Sequence, residues 1–434
     1  MNMREMKDSG IKWLGVIPAD WEVKKIKFTL QERIEKNNPI RTSEILSLTA
    51  KQGVVPHSEK EGGGNKPKED LSDYRLAYPG DIVMNSMNIL SGSVGLSKYF
   101  GCVSPVYYML RPREKNHDVR YYNYVFQTTV FQKSLFGLGN GILIKESGNG
   151  KLNTIRMRIP MDKFGNVFIP VAPVSYQKTV SDYLDSVCSE IDSIMSDLQT
   201  QIDNLEEYKR SVITEAVTKG LDPDVEMRDS GIAWVGDIPA HWITHPLYFY
   251  FGERKNKNAL GLETNLLSLS YGKIIRKDIN SNGGLLPESF NTYNIIEKDD
   301  IIIRPTDLQN DKRSLRTGIA REHGIITSAY IAMKAIKSVN PEYFHYLLHA
   351  YDVMKVFYNM GNGVRQGLNF SEFSRLMVFE PTIEEQNAIV AYLKEKCDEI
   401  DLAIAEKKQQ IETIEEYKKS LIFEYVTGKK EVQA

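Results

Sequence analysis

Residues 173–220 carry apolar side chains at helical spacing with neither Gly nor Pro between Val174 and Lys219, and the same stretch returns at 382–429. A shift of 209 residues pairs Tyr183-Leu184 with Tyr392-Leu393, Cys188 with Cys397, Glu190-Ile191-Asp192 with Glu399-Ile400-Asp401, and Glu206-Glu207-Tyr208-Lys209 with Glu415-Glu416-Tyr417-Lys418. A run of matches this long marks an internal duplication. In the first copy Leu184, Val187, Ile191, Ile194, Leu198, Ile202, Leu205 and Val212 step mostly by three or four, which makes a helix with one apolar seam. Leu393, Cys397, Ile400, Ile404, Ile411, Ile414, Tyr417 and Leu421 continue the pattern in the second, interrupted at Lys407. At 1.5 Å per residue each helix is a rod on the order of 60 Å long, which needs a partner to cover its seam. The other copy is the nearest candidate, so the two are expected to form a coiled coil.

A second element opens each half. The sequence from Met6 to Trp21 (MKDSGIKWLGVIPADW) returns from Met227 to Trp242 (MRDSGIAWVGDIPAHW), a shift of 221. The helices shift by 209, so the segment between opening and helix is 12 residues longer in the first half. Those middles, 22–170 and 243–378, are rich in Val, Ile, Tyr and Phe and broken by Gly and Asn, a pattern of strands with a few helices. Ile45-Leu-Ser-Leu-Thr49 answers Leu266-Leu-Ser-Leu-Ser270, Gly80-Asp-Ile-Val-Met84 answers Asp299-Asp-Ile-Ile-Ile303, and Leu138-Gly-Asn-Gly141 answers Met360-Gly-Asn-Gly363. Around these landmarks the loops differ completely, as two readers on one scaffold would.

The chain carries a net charge of −2, which by itself speaks against nucleic acid. By segment the picture changes: Lys plus Arg against Asp plus Glu is 22 to 14 over 22–170 and 17 to 13 over 243–378, but 4 to 9 over 171–220 and 8 to 13 over 379–434. Basic middles suit phosphates and acidic rods suit protein partners. No apolar run reaches the 18 or so residues of a membrane span, and the polar opening lacks a signal-peptide layout, so a cytoplasmic protein with no membrane partner is expected. Cys188 and Cys397 fall on the helix seams and Cys102 in a strand-like stretch, without CxxC spacing, so all three are expected reduced and buried.

The repeated Asp-Ser-Gly-Ile-x-Trp-x-Gly-x-Ile-Pro-x-x-Trp segments, the Pro173-x-x-x-Gln177 and Thr382-x-x-x-Gln386 openings of the rods and their Glu-Glu-Tyr-Lys ends resemble the specificity subunits of Type I restriction-modification systems over essentially the whole chain. Thr382, where the first copy has Pro173, is the one departure and bears on the helix start. The resemblance implies an α+β protein with an internal pseudo-two-fold repeat, whose two mixed α/β target-recognition domains are joined by two long helices packed as an antiparallel coiled coil. The expected organisation is 1–170, first recognition domain; 171–220, first helical spacer; 221–378, second recognition domain; 379–434, second helical spacer. Each domain would read half of a split, asymmetric target in double-stranded DNA. Two modification (methyltransferase) subunits would dock on the helices, with Glu206, Glu207, Tyr208, Glu415, Glu416 and Tyr417 as candidate contacts, and restriction/translocase subunits would join through the complex. No cofactor is expected on this chain; S-adenosylmethionine, ATP and Mg would belong to the partner subunits.

The alternatives are a stand-alone DNA methyltransferase or nuclease, or a pure protein-binding scaffold. No Asn-Pro-Pro-Tyr or Asp-Pro-Pro-Tyr tetrapeptide is present to hold a flipped adenine, and no Gly-x-x-x-x-Gly-Lys-Ser/Thr loop to cradle ATP. Phe136-Gly-Leu-Gly-Asn140 mimics a methyltransferase FxGxG loop, but its counterpart Asn359-Met-Gly-Asn-Gly363 loses the pattern. His345 and His349, four apart, lack neighbouring ligands for a metal and read as a structural pair, as Trp13, Trp21, Trp234 and Trp242 read as packing anchors. Base edges are distinguished by Arg, Lys, Asn and Gln, so candidate DNA contacts are polar residues on the divergent loops. They are Lys51, Gln52, Lys66, Lys68, Asn85, Asn88 and Lys145 in the first middle, and Tyr271, Lys273, Arg276, Lys277, Arg304, Gln309, Arg313, Arg316, Arg365 and Gln366 in the second. No catalytic or metal-ligating residue is expected.

Overall fold

The computed structural model describes residues 4–49, 52–60, 66–139, 144–146, 152–154, 158–232, 234–279, 287, 289–306, 315–356, 360 and 367–432. Four helices organise it: α1 (Val119–Gln127), α2 (Val174–Lys219), α3 (Pro341–Val353) and α4 (Ile383–Val426). The rods α2 and α4 run 46 and 44 residues. They end where a left-handed residue is required, at Gly220 (φ 75°) and Gly428 (φ 71°), the usual glycine stop after a helix. Thr382 starts α4 by a different device from Pro173. Its hydroxyl accepts the Glu385 N–H (3.2 Å) while its own N–H donates to the Glu385 carboxylate (2.9 Å), a reciprocal cap that satisfies two donors at the helix start.

The chain divides into two compact units, residues 1–198 with 409–434, and residues 199–408. In unit 1 a four-stranded antiparallel sheet runs in the order Leu30–Glu32, Tyr107–Pro112, Ile82–Asn85, Val94–Leu96. Unit 2 has the order Phe251–Glu253, Ile331–Ala335, Ile301–Ile303, Thr317–Ile319, again antiparallel. Each unit adds a hairpin, Leu46–Thr49 with Gly53–Pro56 and Leu267–Ser270 with Lys273–Arg276. Each also adds a strand pair leading into its rod, Glu22–Lys25 with Phe168–Val171 and Ile243–Pro246 with Met377–Glu380. The landmark stretches at 45–49 and 266–270, and at 80–84 and 299–303, thus supply matching strands; most of the two Gly-Asn-Gly stretches lies outside the described residues.

Burial accounts for the repeated opening segment. In each copy an aspartate and a serine fold the chain back on itself: Asp8 accepts the Gly10 N–H and Ser9 the Ile11 N–H (3.0 and 3.1 Å), as Asp229 accepts Gly231 and Ser230 accepts Ile232 at the same distances. The turn closes a short strand pair, Met6–Asp8 with Val16–Pro18 and Met227–Asp229 with Asp237–Pro239. Trp21 and Trp242 then sink to 0% and 1% exposure. Burying such a side chain is worth roughly 2–3 kcal/mol, so these two residues anchor the segment.

In unit 1 the core joins Trp21, Tyr121 and Phe131 to Val180, Leu184, Cys188 and Ile191 of α2 and to Leu421, Ile422 and Val426 of α4. In unit 2 Trp242, Tyr343 and Phe373 meet Val212, Ile213 and Val217 of α2 and Ile389, Leu393 and Cys397 of α4. Within each unit the rod segments run oppositely. Asp192 meets Lys418 and Tyr183 meets Tyr425 in unit 1, while Lys209 meets Asp401 and Gln201 meets Lys407 in unit 2. Two expected seam residues are not inside: Ile194 is 49% exposed and Tyr417 54%. The half-buried Met195 and Lys418 take the inward positions instead, because a helix of 3.6 residues per turn drifts away from a strict 3-4 spacing. All three cysteines are buried and free, with burial pushing the Cys102 and Cys188 thiols up to about 11. Among the described residues no helix is long and apolar enough to cross a membrane.

Candidate nucleic-acid interface

The divergent loops emerge from the two hairpins and from the ends of the four-stranded sheets. In unit 1 Gln52 sits at the hairpin turn, exposed, its N–H donating to the Thr49 hydroxyl (2.9 Å) and its amide to the Glu59 carbonyl (3.4 Å). Lys66 and Lys68 are exposed on the strand-free segment that follows, anchored where the Lys68 N–H donates to the Tyr74 hydroxyl (3.2 Å). Asn85, half-buried at the end of its strand, accepts the Met87 N–H (2.9 Å), which turns the chain so that Asn88 faces solvent. Lys145 lies on strand Ile144–Glu146, paired with Asn153 of Leu152–Thr154. Lys51 lies outside the described residues.

In unit 2 the hairpin turn places Tyr271 80% exposed with φ 46°, a left-handed backbone that a non-glycine residue adopts at a cost of about 1 kcal/mol or more. Strain of this kind on an exposed aromatic ring marks the turn as a place for contact rather than packing. Lys273 and Lys277 are exposed beside it, the Lys277 backbone donating to the Leu266 carbonyl (2.8 Å). Arg276 is exposed but engaged: its Nε lies 2.7 and 2.9 Å from the two Glu322 oxygens and its Nη2 also bonds that carboxylate. Arg304 is half-buried, its N–H on the Arg316 carbonyl (2.8 Å). Gln309, Arg313, Arg365 and Gln366 lie outside the described residues.

Arg316 is a correction. It is 0% exposed; its N–H donates to Asp352 and its Nη1 to the Thr306 carbonyl, so it ties strand to helix from inside and presents nothing to a base edge. Its basic side chain reads from sequence as a surface contact because nothing local marks that the guanidinium turns inward onto the Thr306 carbonyl.

The hairpin of unit 2 overhangs a cleft of ≈ 970 Å³ lined by Tyr271, Lys273, Arg321, His345 and His349 together with Glu206 and Lys209 of α2. Desolvation pushes His345 down to about 3 and His349 to about 4, so both rings are neutral near pH 7. His345 Nε2 has no hydrogen-bond partner, and no group of three His, Cys, Asp or Glu that could hold a metal occurs among the described residues. The cleft offers aromatic, cationic and imidazole groups beside Cys397, Asp398 and Asp401.

On the rods, Glu206, Glu207 and Tyr208 in unit 2 and Glu415, Glu416 and Tyr417 in unit 1 all face solvent. The lysine that follows turns inward in both: Lys209 Nζ is 2.7 Å from both Asp401 oxygens and Lys418 Nζ 2.6 Å from Asp192. Two acids and a tyrosine (55% and 54% exposed) therefore stand outward beside a fixed ion pair.

Gln177 and Gln386, landmarks of the rod openings in the sequence, take on a role in the fold. Gln177, fully buried, donates to the Ala172 carbonyl (2.8 Å) and accepts the Asp118 N–H (3.0 Å) at the start of α1. Gln386 repeats this with the Pro381 carbonyl (2.9 Å) and the Asn340 N–H (2.8 Å) at the start of α3. Tyr121 of α1 donates to the Val426 carbonyl (2.8 Å) and Tyr343 of α3 to the Val217 carbonyl (3.2 Å). Each mixed domain is thus seated on the start of one rod and the end of the other.

No family model matches the chain. It is 24% identical over 441 residues to a chain assigned as the type I restriction enzyme MjaX specificity subunit of Methanocaldococcus jannaschii, covering 96% of this chain and 95% of that one. It is 24% identical over 437 residues to the type I restriction enzyme MjaVIII specificity subunit of the same organism, covering 95% and 93%. The fold resembles a chain in a solved structure concerning complex assembly and conformational transition of the type I R-M system, with TM-score 0.66, 13% identity, and coverage of 95% and 99%. Over nearly its full length, then, the chain is similar to two specificity subunits of Type I restriction-modification systems.

Proposed function

We propose that this protein is the non-catalytic subunit that chooses the DNA sequence on which a Type I complex acts, reading a bipartite, asymmetric target with one mixed domain per half. The observation that carries the reading is the pairing of like frames with unlike loops: the same strand order and the same rod seats in both units, but Gln52 at one hairpin turn and the strained, exposed Tyr271 at the other. In this reading α2 and α4 form one antiparallel coiled coil with a pseudo-two-fold relation between the halves, and rod length sets the spacing of the half-sites. Two modification subunits dock on the rods through Glu206, Glu207, Tyr208, Glu415, Glu416 and Tyr417. These partners bring S-adenosylmethionine, the restriction/translocase subunits bring the ATP and Mg chemistry, and the complex works in the cytoplasm. Basic middles meet phosphate and the loop side chains discriminate bases.

Mapping methylated adenines in DNA from cells that express this chain with its cognate methyltransferase tests the proposal. The expected result is a split target with a fixed spacer; methylation or cleavage of DNA by the purified chain alone would overturn it.

A further inference from the structure

The two seats share their tyrosine and glutamine contacts and reverse charge at one pair of positions. α1 and α3 each begin at a side-chain cap, Asp118 accepting the Arg120 N–H and Asn340 the Glu342 N–H, both at 2.9 Å. The second residue after each cap reaches across to the rod that starts beside it. In unit 1 that residue is Arg120, whose Nη1 lies 2.8 Å from Asp185 and 2.7 Å from Asp182 on α2. In unit 2 it is Glu342, whose Oε2 lies 2.6 Å from Lys394 on α4. The shift of 209 that superposes the rods carries Asp185 onto Lys394. One position pair of the duplicated frame therefore holds arginine against aspartate in one half and glutamate against lysine in the other.

Neighbouring groups reinforce each polarity. The Tyr124 hydroxyl donates to Asp185 (2.6 Å) and orients it toward Arg120, while Arg321 takes the other oxygen of Glu342 (2.6 Å). Glu342 is only 12% exposed, so a like charge brought against it would be poorly screened.

We propose that this reversed ion pair is a matching code that fixes each mixed domain to its own rod start and rejects the other start, whether on the same chain or on a second copy of it. A partly exposed pair adds little stability, but a wrong seating brings Arg120 against Lys394 and Glu342 against Asp185. The difference between right and wrong collects both the lost attraction and the new repulsion. A duplicated protein gains from such a device, because the tyrosine and glutamine seat contacts are shared and cannot tell the halves apart. The inference does not depend on which DNA, if any, the loops read.

The test uses the full chain in two domain orders, the natural one and one in which residues 22–170 and 243–378 are exchanged, each with and without Asp185→Lys together with Lys394→Asp. In the natural order the two substitutions are expected to lower Tm by about 4 °C; in the exchanged order the same two should raise it by a similar amount. Opposite signs support the code, and an equal sign in both orders overturns it. Should the exchanged chain not fold, a cycle in the natural order decides: E342K and K394E each lower Tm, and the double variant recovers most of the combined loss. A double variant whose loss equals the sum of the two single losses removes the proposal.

Discussion

The seats of the two units and their hairpin turns have diverged to opposite degrees. At the seats matching groups recur: tyrosine hydroxyl on rod carbonyl at Tyr121 and Tyr343, buried amide on helix start at Gln177 and Gln386, and a buried indole at Trp21 and Trp242. At the turns only the backbone pairing is common, and the turn carries Gln52 with its amide on the Glu59 carbonyl in one unit and Tyr271 held out in solvent in the other. A buried hydrogen bond has one partner in one direction, so both ends must persist together; a solvated side chain has water as its alternative partner and can change freely.

The largest test of this contrast is at the indoles. Trp21→Ala and Trp242→Ala should each cost about 3–5 kcal/mol, in nearly equal amounts, as read by denaturant unfolding. A cost confined to one of them would break the equivalence of the seats. Next, Gln177→Leu and Gln386→Leu leave the Asp118 and Asn340 N–H groups unpaired; each is expected to lose about 1–3 kcal/mol without altering the DNA target.

The turns should behave the other way. Tyr271→Ala or Lys273→Ala is expected to weaken or relax one half of the target by about 1–3 kcal/mol while overall stability changes by less than about 0.5 kcal/mol. Loss of preference at both half-sites in mapped methylation would refute independent readers.

The units also differ in response to acid. Two residues past each cap α1 and α3 carry Arg120 and Glu342, and the same register puts Asn123 and Gln127 of α1 where α3 has His345 and His349. The folded-state pKa values of these histidines are depressed, to about 3 and about 4, so the unfolded chain takes up protons first. Stability is full above about 6.5 and declines as pH falls below it, on the order of 1 kcal/mol per ring at pH 5 after allowing for water in the cleft. His345→Asn with His349→Gln should flatten that acid limb in thermal melts; an unchanged limb would place its origin elsewhere.

The parts of this organisation that repeat or alternate were legible from residues alone. The rods, the buried indoles and the matching strands at 46–49 and 267–270 all follow from local pattern and duplication. What escaped depends on distant partners. Arg316 is basic and sits in a divergent loop region, yet its N–H on Asp352 and its guanidinium on the Thr306 carbonyl hold it inside; Arg276 looks free until Glu322, 46 residues on, forks it. Ile194 is apolar at a helical spacing, but the drift of the helix leaves it outward and hands its place to Met195. Tyr271 was legible as a polar loop residue, its strained backbone was not, since a positive φ at tyrosine has no local signature.

The bond from Tyr121 to Val426, together with Lys429 donating to the Leu14 and Val16 carbonyls (2.8 and 3.0 Å), sets the order in which a ribosome can finish this protein. Unit 2 is continuous over residues 199–408, whereas unit 1 is assembled from residues 1–198 and 409–434. The half that is translated first is therefore the last to close. While unit 2 emerges and folds, Trp21, Tyr121 and the apolar start of α2 wait for the last turns of α4, across a separation of 305 residues between Tyr121 and Val426. Such long-range closure is slow and leaves apolar surface open in the interval. Truncation within the last two dozen residues should accordingly unfold the beginning of the chain while sparing its middle.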